Sequence, residues 1–229
     1  MKERLKDFWG LDSPFLSFMK KIGWVFLLNI MFAITSIPVV TVGASAVAMY
    51  TILNKMIAER EFNFLKDYFR AFSENFLKSM LIWLIILVVT IILSINTWYV
   101  FGQMSGGFAY VMRIGTVIIA IAFCMLANMV FPLIARFDVN MKETLAIAVQ
   151  IAISHPLLCL ESVGFTVAVL GGSLAILYVG WFGGFFILFP MIAFGLHAFM
   201  QSYLFQKIFD EYAEEEESDP DYVTGEENN

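Results

Sequence analysis

Chemistry in this chain depends on a few polar side chains that interrupt long apolar stretches. Glu161 and His197 are the ionisable ones, and Gln201 follows His197 by one helical turn. Ionisable groups in a bilayer are costly and by default mark an ion or proton site. Glu161 lies near the start of its apolar stretch, where the helix dipole favours a carboxylate, and His197 has no charged partner. We favour a helix-terminal charge for Glu161 and a neutral interhelical hydrogen bond for His197.

Four uncharged residues complete the set of candidate site residues. Asn29 and Asn128 lie within apolar stretches, and Thr35 and Thr41 flank Pro38. Asparagine in such a position contacts a substrate or bonds a neighbouring helix, and interhelical bonding is our default interpretation. The small residues and the proline around Thr35 and Thr41 predict a broken or closely packed helix.

The sequence holds none of the common catalytic signatures. It lacks a phosphate-binding loop, a His-Glu-x-x-His motif, a Gly-x-Ser-x-Gly motif and a pair of intramembrane acids. Cys124 and Cys159 lie in apolar runs without a second Cys or His at metal-ligand spacing. We expect no enzyme activity, no cofactor, no metal and no nucleic-acid partner.

The elements that carry these residues are membrane helices by composition. The 229 residues are 60% hydrophobic and 15% charged, with a mean hydropathy of +0.78, whereas soluble domains have about 25% charged residues. From Asp210 onward the chain is dense in acids and has no base. We predict an integral membrane domain over residues 1–209 and a disordered acidic cytoplasmic tail over residues 210–229.

Length and charge predict an all-α bundle of six transmembrane helices. A span needs about 20 apolar residues, and the apolar run 157–205 is long enough to fold back at the Gly, Trp and Tyr residues between 178 and 184. The predicted spans are residues 22–40, 41–57, 80–101, 114–135, 157–177 and 184–205. If residues 41–57 cross, every base except Arg113 lies on one side, which the positive-inside rule makes cytoplasmic together with both termini.

Two amphipathic helices are predicted in the cytoplasmic connections. Residues 61–78 carry Phe and Leu at spacings of three and four with charges between them, and residues 141–154 carry a weaker apolar stripe. Each half of the chain then has three spans and one amphipathic helix. This arrangement predicts a three-plus-three pseudo-repeat of the kind found in transporters.

Three segments together resemble a known family. They are Ile34-Thr35-Ser36-Ile37-Pro38-Val39-Val40-Thr41-Val42-Gly43-Ala44, preceded by Asn29, then Phe69-Arg70-Ala71-Phe72-Ser73-Glu74-Asn75-Phe76, and Phe131-Pro132-Leu133-Ile134-Ala135-Arg136-Phe137. The chain resembles the YesL-like family of small bacterial integral membrane proteins. The resemblance implies a multi-pass protein of the bacterial cell membrane that is associated with carbohydrate uptake, since family members are often encoded beside oligosaccharide ABC importers.

We therefore expect a non-enzymatic accessory protein that assists carbohydrate uptake by contacting permease subunits of an ABC importer. The alternative is an autonomous small-solute transporter or channel. That alternative requires Asn29, Asn128 and His197 to converge on one cavity near the membrane midplane.

Overall fold

The part of the chain that the structure describes consists of helices joined by short connections. The computed structural model describes residues 14–137, 140–179, 194–206 and 208–210. The helices with full bounds are α1 (Pro14–Thr35), α2 (Val42–Ile57), α3 (Phe64–Glu74), α4 (Phe76–Gly102), α5 (Gly107–Arg136), α6 (Met141–Ser154) and α7 (Pro156–Val179). A short 3-10 helix, Val39–Thr41, precedes α2, and residues 194–206 and 208–210, here called the C-terminal segment, are also helical. The all-α fold class is confirmed for this part of the chain.

Helix α2 lies at the centre of the bundle and packs against α1, α3, α4 and α5. Every residue from Gly43 to Tyr50 is buried. The small side chains in this stretch let neighbouring helices approach closely, which is how membrane helices gain packing energy. A Cβ atom built on Gly43 would overlap the carbonyl oxygen of Ser79 and lie 2.8 Å from the Cβ of Trp83. Gly43 is therefore required by the contact between α2 and α4.

The predicted break near Pro38 separates α1 from α2. Helix α1 ends at Thr35, five residues before the predicted end of the first span at residue 40. Side chains satisfy the carbonyls that the break releases: Thr41 Oγ1 donates to the Thr35 and Pro38 carbonyls at 2.5 and 2.7 Å. Trp83 Nε1 donates to the Val39 carbonyl at 2.7 Å. Such pairing is what allows non-helical backbone at membrane depth.

Four segments in the described ranges are long and apolar enough to cross a membrane. They are Val39–Ile57, Phe76–Gly102, Gly107–Arg136 and Pro156–Ser173. They agree with the second to fifth predicted spans and indicate a multi-pass membrane protein. The first predicted span, residues 22–40, is not among them, and half of the last, 184–193, lies outside the described residues, as does most of the predicted turn at 178–184.

Helices α4 and α5 form a hairpin whose outer surface is apolar. Exposed side chains include Ile85, Ile92 and Ile95 on α4 and Ile114 and Ile118 on α5. Only 11% of the apolar window of α4 and 28% of that of α5 are buried, against 61% for the segment that contains α2. Apolar residues on nearly all sides of a helix are typical of contact with lipid.

Of the two helices predicted in the cytoplasmic connections, α6 has the predicted bounds and α3 is shorter than predicted. Helix α6 has the predicted bounds, Met141–Ser154, and begins with a capping box between Asn140 and Glu143. Helix α3 is shorter than the predicted 61–78: the Asn63 side chain caps its first turn, and the chain turns at Asn75 before α4 begins. Helix α3 follows the second predicted span, whereas α6 follows the fourth, so the order of elements differs between the two halves of the proposed repeat.

Ion pairs join helix ends at one end of the bundle. Lys21 near the start of α1 lies 3.5 Å from Glu59 after α2, and Lys55 lies 2.8 Å from Asp67 on α3. The first pair requires α1 and α2 to run in opposite directions. Arg136 at the end of α5 bonds Asp210 at 2.6 Å, so the C-terminal segment ends beside α5.

Candidate functional site

A hydrogen-bonded chain of polar side chains runs through the buried interior between α2, α7 and the C-terminal segment. The hydroxyl of Tyr50 donates to Gln201 Oε1, and Gln201 Nε2 donates to Ser162 Oγ at 2.8 Å. Gln201 and Ser162 are 1% and 0% exposed, so water cannot replace these bonds. In an apolar surrounding each of these polar groups requires its partner.

Thr166 continues this polar network one turn along α7. Its Oγ1 lies 2.9 Å from His197 Nε2, 3.1 Å from Asn128 Oδ1 and 2.9 Å from the Ser162 carbonyl. Thr166 has one hydroxyl proton, which it donates to an oxygen that can only accept. The direction of the bond to His197 depends on the imidazole tautomer: with the proton on Nε2 the histidine donates to Thr166, and Nδ1 is then the ring's acceptor.

Helical spacing explains why these residues meet. Ser162 and Thr166 are four apart on α7, and His197 and Gln201 are four apart on the C-terminal segment. Residues at this spacing share one helix face. The two pairs bond in reversed order, Ser162 with Gln201 and Thr166 with His197, which is the pattern of two antiparallel helices.

The imidazole of His197 is enclosed mainly by aromatic side chains. Its ring centroid lies 5.5 Å from that of Phe165 and 6.5 Å from that of Phe194. The side chain is 7% exposed, and its Nδ1 has no hydrogen-bond partner among the described residues. In a catalytic dyad Nδ1 carries a proton and donates it to an orienting acceptor such as a carboxylate, and no described residue bonds Nδ1 in this way. The geometry therefore suits a structural bond better than proton transfer.

Two other predicted site residues, Asn29 and Glu161, do not take part in the polar network. Asn29 donates to its own helix at the Val25 carbonyl, 2.8 Å away, and packs against Gly195 so closely that a Cβ atom there would overlap its carboxamide. It thus lies near the network without a hydrogen bond to it. Glu161 is exposed on α7.

Thr35 and Thr41 hold the region of the break. Thr35 Oγ1 bonds its own helix at the Met31 carbonyl and lies 2.8 Å from the hydroxyl of Tyr68 on α3. Burial of Tyr68 raises the pKa of its phenol to about 12, so the hydroxyl stays protonated and able to donate. Thr41 bonds the carbonyls of the break. Both residues stabilise the junction of α1, α2 and α3.

Sequence reasoning missed Tyr50, Ser162 and Thr166. Hydroxyl residues are common in membrane helices, where most bond their own helix, as Thr90 and Ser94 do. The available signal was the four-residue spacing of Ser162 and Thr166, which matches that of His197 and Gln201. Without the partner helix, that spacing does not distinguish a network from isolated hydroxyls.

The network carries no charge that would support acid–base or metal chemistry. Its members are amides, hydroxyls and one imidazole, whereas catalysis of bond cleavage usually needs a nucleophile with a paired base or a metal. Within the described ranges no three His, Cys, Asp or Glu residues gather closely enough to hold a metal ion. The arrangement can join four helices and can offer a neutral donor or acceptor to a small ligand.

A comparison with protein-family models gives a match that covers about a third of the chain. The model of a protein family of unknown function, DUF624, which is a YesL-like family, matches residues 24–97. This range runs from α1 into α4 and includes two of the three segments on which the resemblance rests. No curated protein and no solved structure gives a significant match. Over residues 24–97 the chain is thus similar to DUF624, a family whose function is itself not known.

Proposed function

We propose that the protein is a non-enzymatic accessory membrane protein that assists carbohydrate uptake by contacting permease subunits of an ABC importer. One contrast carries this proposal. The interior polar side chains bond one another, whereas α6 leaves Leu145, Val149 and Ile153 exposed outside the predicted spans. These three residues, at spacings of four, form the apolar stripe of α6, beside a shallow surface groove.

A stripe of this kind is suited to contact with another apolar helix. Helix α6 buries Thr144, Ala148 and Ile151 against the bundle, so its outer stripe is available to a partner. Amphipathic helices bind partners through anchors at this spacing. The similarity to DUF624 supports the proposal only through the association of YesL-like proteins with sugar importers.

The test is affinity purification of the tagged full-length protein from its native membrane in mild detergent, followed by mass spectrometry. We expect permease subunits in stoichiometric amount with the wild type, and a loss of at least about tenfold with Val149→Ser/Ile153→Ser. The matched control is Leu65→Ser/Phe69→Ser, which changes exposed apolar residues on α3 instead. Recovery of the wild type without permeases, together with unchanged sugar uptake in a deletion strain, would overturn the proposal.

The finer topology belongs to the same proposal: six spans with both termini in the cytoplasm of a bacterial cell. The antiparallel course of α1 and α2 supports it, because Lys21 and Glu59 lie at the same end of the bundle. Arg113 then lies alone at the exterior end, and the bases of α3 at the cytoplasmic end.

A second candidate function, autonomous transport of a small solute, is favoured by one observation. Asn128, His197 and Gln201 belong to a single network, and Nδ1 of His197 has no hydrogen-bond partner among the described residues. The test of this second function is a solute-flux assay with the protein reconstituted into liposomes. Solute flux that His197→Ala abolishes, while Gln206→Ala leaves it intact, would favour transport over the accessory role.

A further inference from the structure

Arg113 lies in the second turn of α5, close to the connection from α4 and far in sequence from the other bases. Its Nε donates to the Val100 carbonyl at 3.3 Å, and its Nη2 donates to the Met104 carbonyl at 3.0 Å. Both bonds reach back to the end of α4 and close the hairpin. A guanidinium has five N–H donors, so these two bonds leave three for another partner.

Aromatic side chains fix the guanidinium and the depth of this turn. Its central carbon lies 5.6 Å from the ring centroids of both Phe101 and Tyr110. Tyr110 is exposed, as are Trp98 and Tyr99 in the last turns of α4. Trp and Tyr concentrate at the level of the lipid headgroups, so this end of the hairpin lies at the membrane interface.

The positive charge of Arg113 has no carboxylate to balance it within the hairpin. The sequence contains no Asp or Glu from residue 75 to residue 137. Lys21, Lys55, Arg70 and Arg136 each pair with a carboxylate, and Arg113 takes part in none of these four ion pairs. A partly buried guanidinium that is held in place and uncompensated attracts an anion.

We propose that Arg113 and the aromatic residues around it form a binding site for the phosphodiester of an anionic phospholipid. Guanidinium binds phosphate oxygens in a bidentate manner, and the stacked rings present its free edge in a fixed orientation. The turn is open: a Cβ atom built on Gly106 or Gly107 would meet no atom within 4 Å. The headgroup region supplies a phosphodiester at this depth, which distinguishes lipid from dissolved phosphate as the source.

The test is native mass spectrometry of the full-length protein titrated with phosphatidylglycerol. We expect the first lipid to bind Arg113→Gln about tenfold more weakly than the wild type, since a charge-assisted bond is lost. Arg136→Gln removes the same charge at the other end of the bundle, from a residue already paired with Asp210, and serves as the matched control. Equal binding by the two variants would overturn the proposal.

Two further measurements keep the test decisive. Arg113→Lys retains the charge without the planar fork, so we expect binding between that of the wild type and that of Arg113→Gln; this variant decides the matter if Arg113→Gln fails to fold. Inorganic phosphate at millimolar concentration is the second probe. If it displaces phosphatidylglycerol from the wild type, the ligand is dissolved phosphate and the lipid assignment is wrong.

Discussion

Gln201 on the C-terminal segment donates from Nε2 to Ser162 Oγ on α7, with 2.8 Å between the two atoms, and its Oε1 accepts from the hydroxyl of Tyr50 on α2. One side chain thus joins α2, α7 and the C-terminal segment, which are far apart in sequence. Gln201 is 1% exposed, so neither bond can be exchanged for one to water. The position of the C-terminal segment against the centre of the bundle depends on this residue.

Replacing Gln201 by Ala should destabilise the protein by about 1–2 kcal/mol, because the Tyr50 hydroxyl loses its buried acceptor and Ser162 loses a donor. The measurement is unfolding of the detergent-solubilised protein by titration with a denaturing detergent. Gln206→Ala, on the same segment but only partly buried, should change stability little. Equal effects of the two substitutions would mean that the bonds of Gln201 contribute nothing to stability.

Gly43 should tolerate no side chain. Gly43→Ala forces a Cβ atom against the Ser79 carbonyl and the Cβ of Trp83, and neither atom is the end of a flexible side chain. We expect α2 and α4 to separate at a cost above about 2 kcal/mol, with a lower yield of folded protein. Gly115→Ala on α5 is the matched control, since its added methyl group meets nothing within 4 Å. A Gly43→Ala variant as stable as Gly115→Ala would show that the close approach of the two helices is not needed.

Much of the helical layout follows from local pattern. Composition and apolar length lead directly to the apolar helices, and the apolar stripe of residues 141–154 leads to α6. The end of α3 does not follow, because the apolar periodicity continues through Phe76 while the chain turns at Asn75. A turn between two helices that share one periodicity leaves no trace in that pattern.

The polar network is harder to predict from the sequence than the helices are, because its contacts form only through tertiary packing. The sequence identifies Asn128, His197 and Gln201 as side chains in need of partners, since polar groups in a bilayer must be paired. It does not identify the partners, because Tyr50 and Thr166 become neighbours of these residues only after helices distant in the sequence have packed. Asn29 shows the converse: a polar residue near the network bonds its own helix instead.

Acid should weaken the attachment of α3 to α2 through Asp67. The hydrogen bond from Lys55 holds the pKa of this carboxyl below its usual 3.8. A lowered pKa means that the ionised form stabilises the fold above about pH 4, and this contribution is lost as the pH falls through the pKa of the folded state. Both side chains are partly exposed, so the contribution is at most about 1 kcal/mol.

The measurement compares the unfolding free energy of the wild type and Asp67→Asn at pH 7 and pH 3. We expect the wild type to be more stable at pH 7 and the difference to shrink at pH 3. Glu74→Gln is the control, because Glu74 pairs with Arg70 on the same helix at an exposed site. A difference between wild type and Asp67→Asn that is the same at both pH values would exclude the ion pair as its cause.

Cysteine labelling should place the two ends of the bundle on opposite sides of the membrane. In a variant without Cys124 and Cys159, single cysteines replace Ile37, Ser73 or Ser105, which are all exposed. With six spans, a membrane-impermeant maleimide labels Ile37→Cys and Ser105→Cys in intact cells, and labels Ser73→Cys only after permeabilisation. If α2 does not cross, positions 37 and 73 lie on the same side and label alike. Labelling of both Ile37→Cys and Ser73→Cys in intact cells would therefore reject six spans and place the bases of α3 outside, against the positive-inside rule.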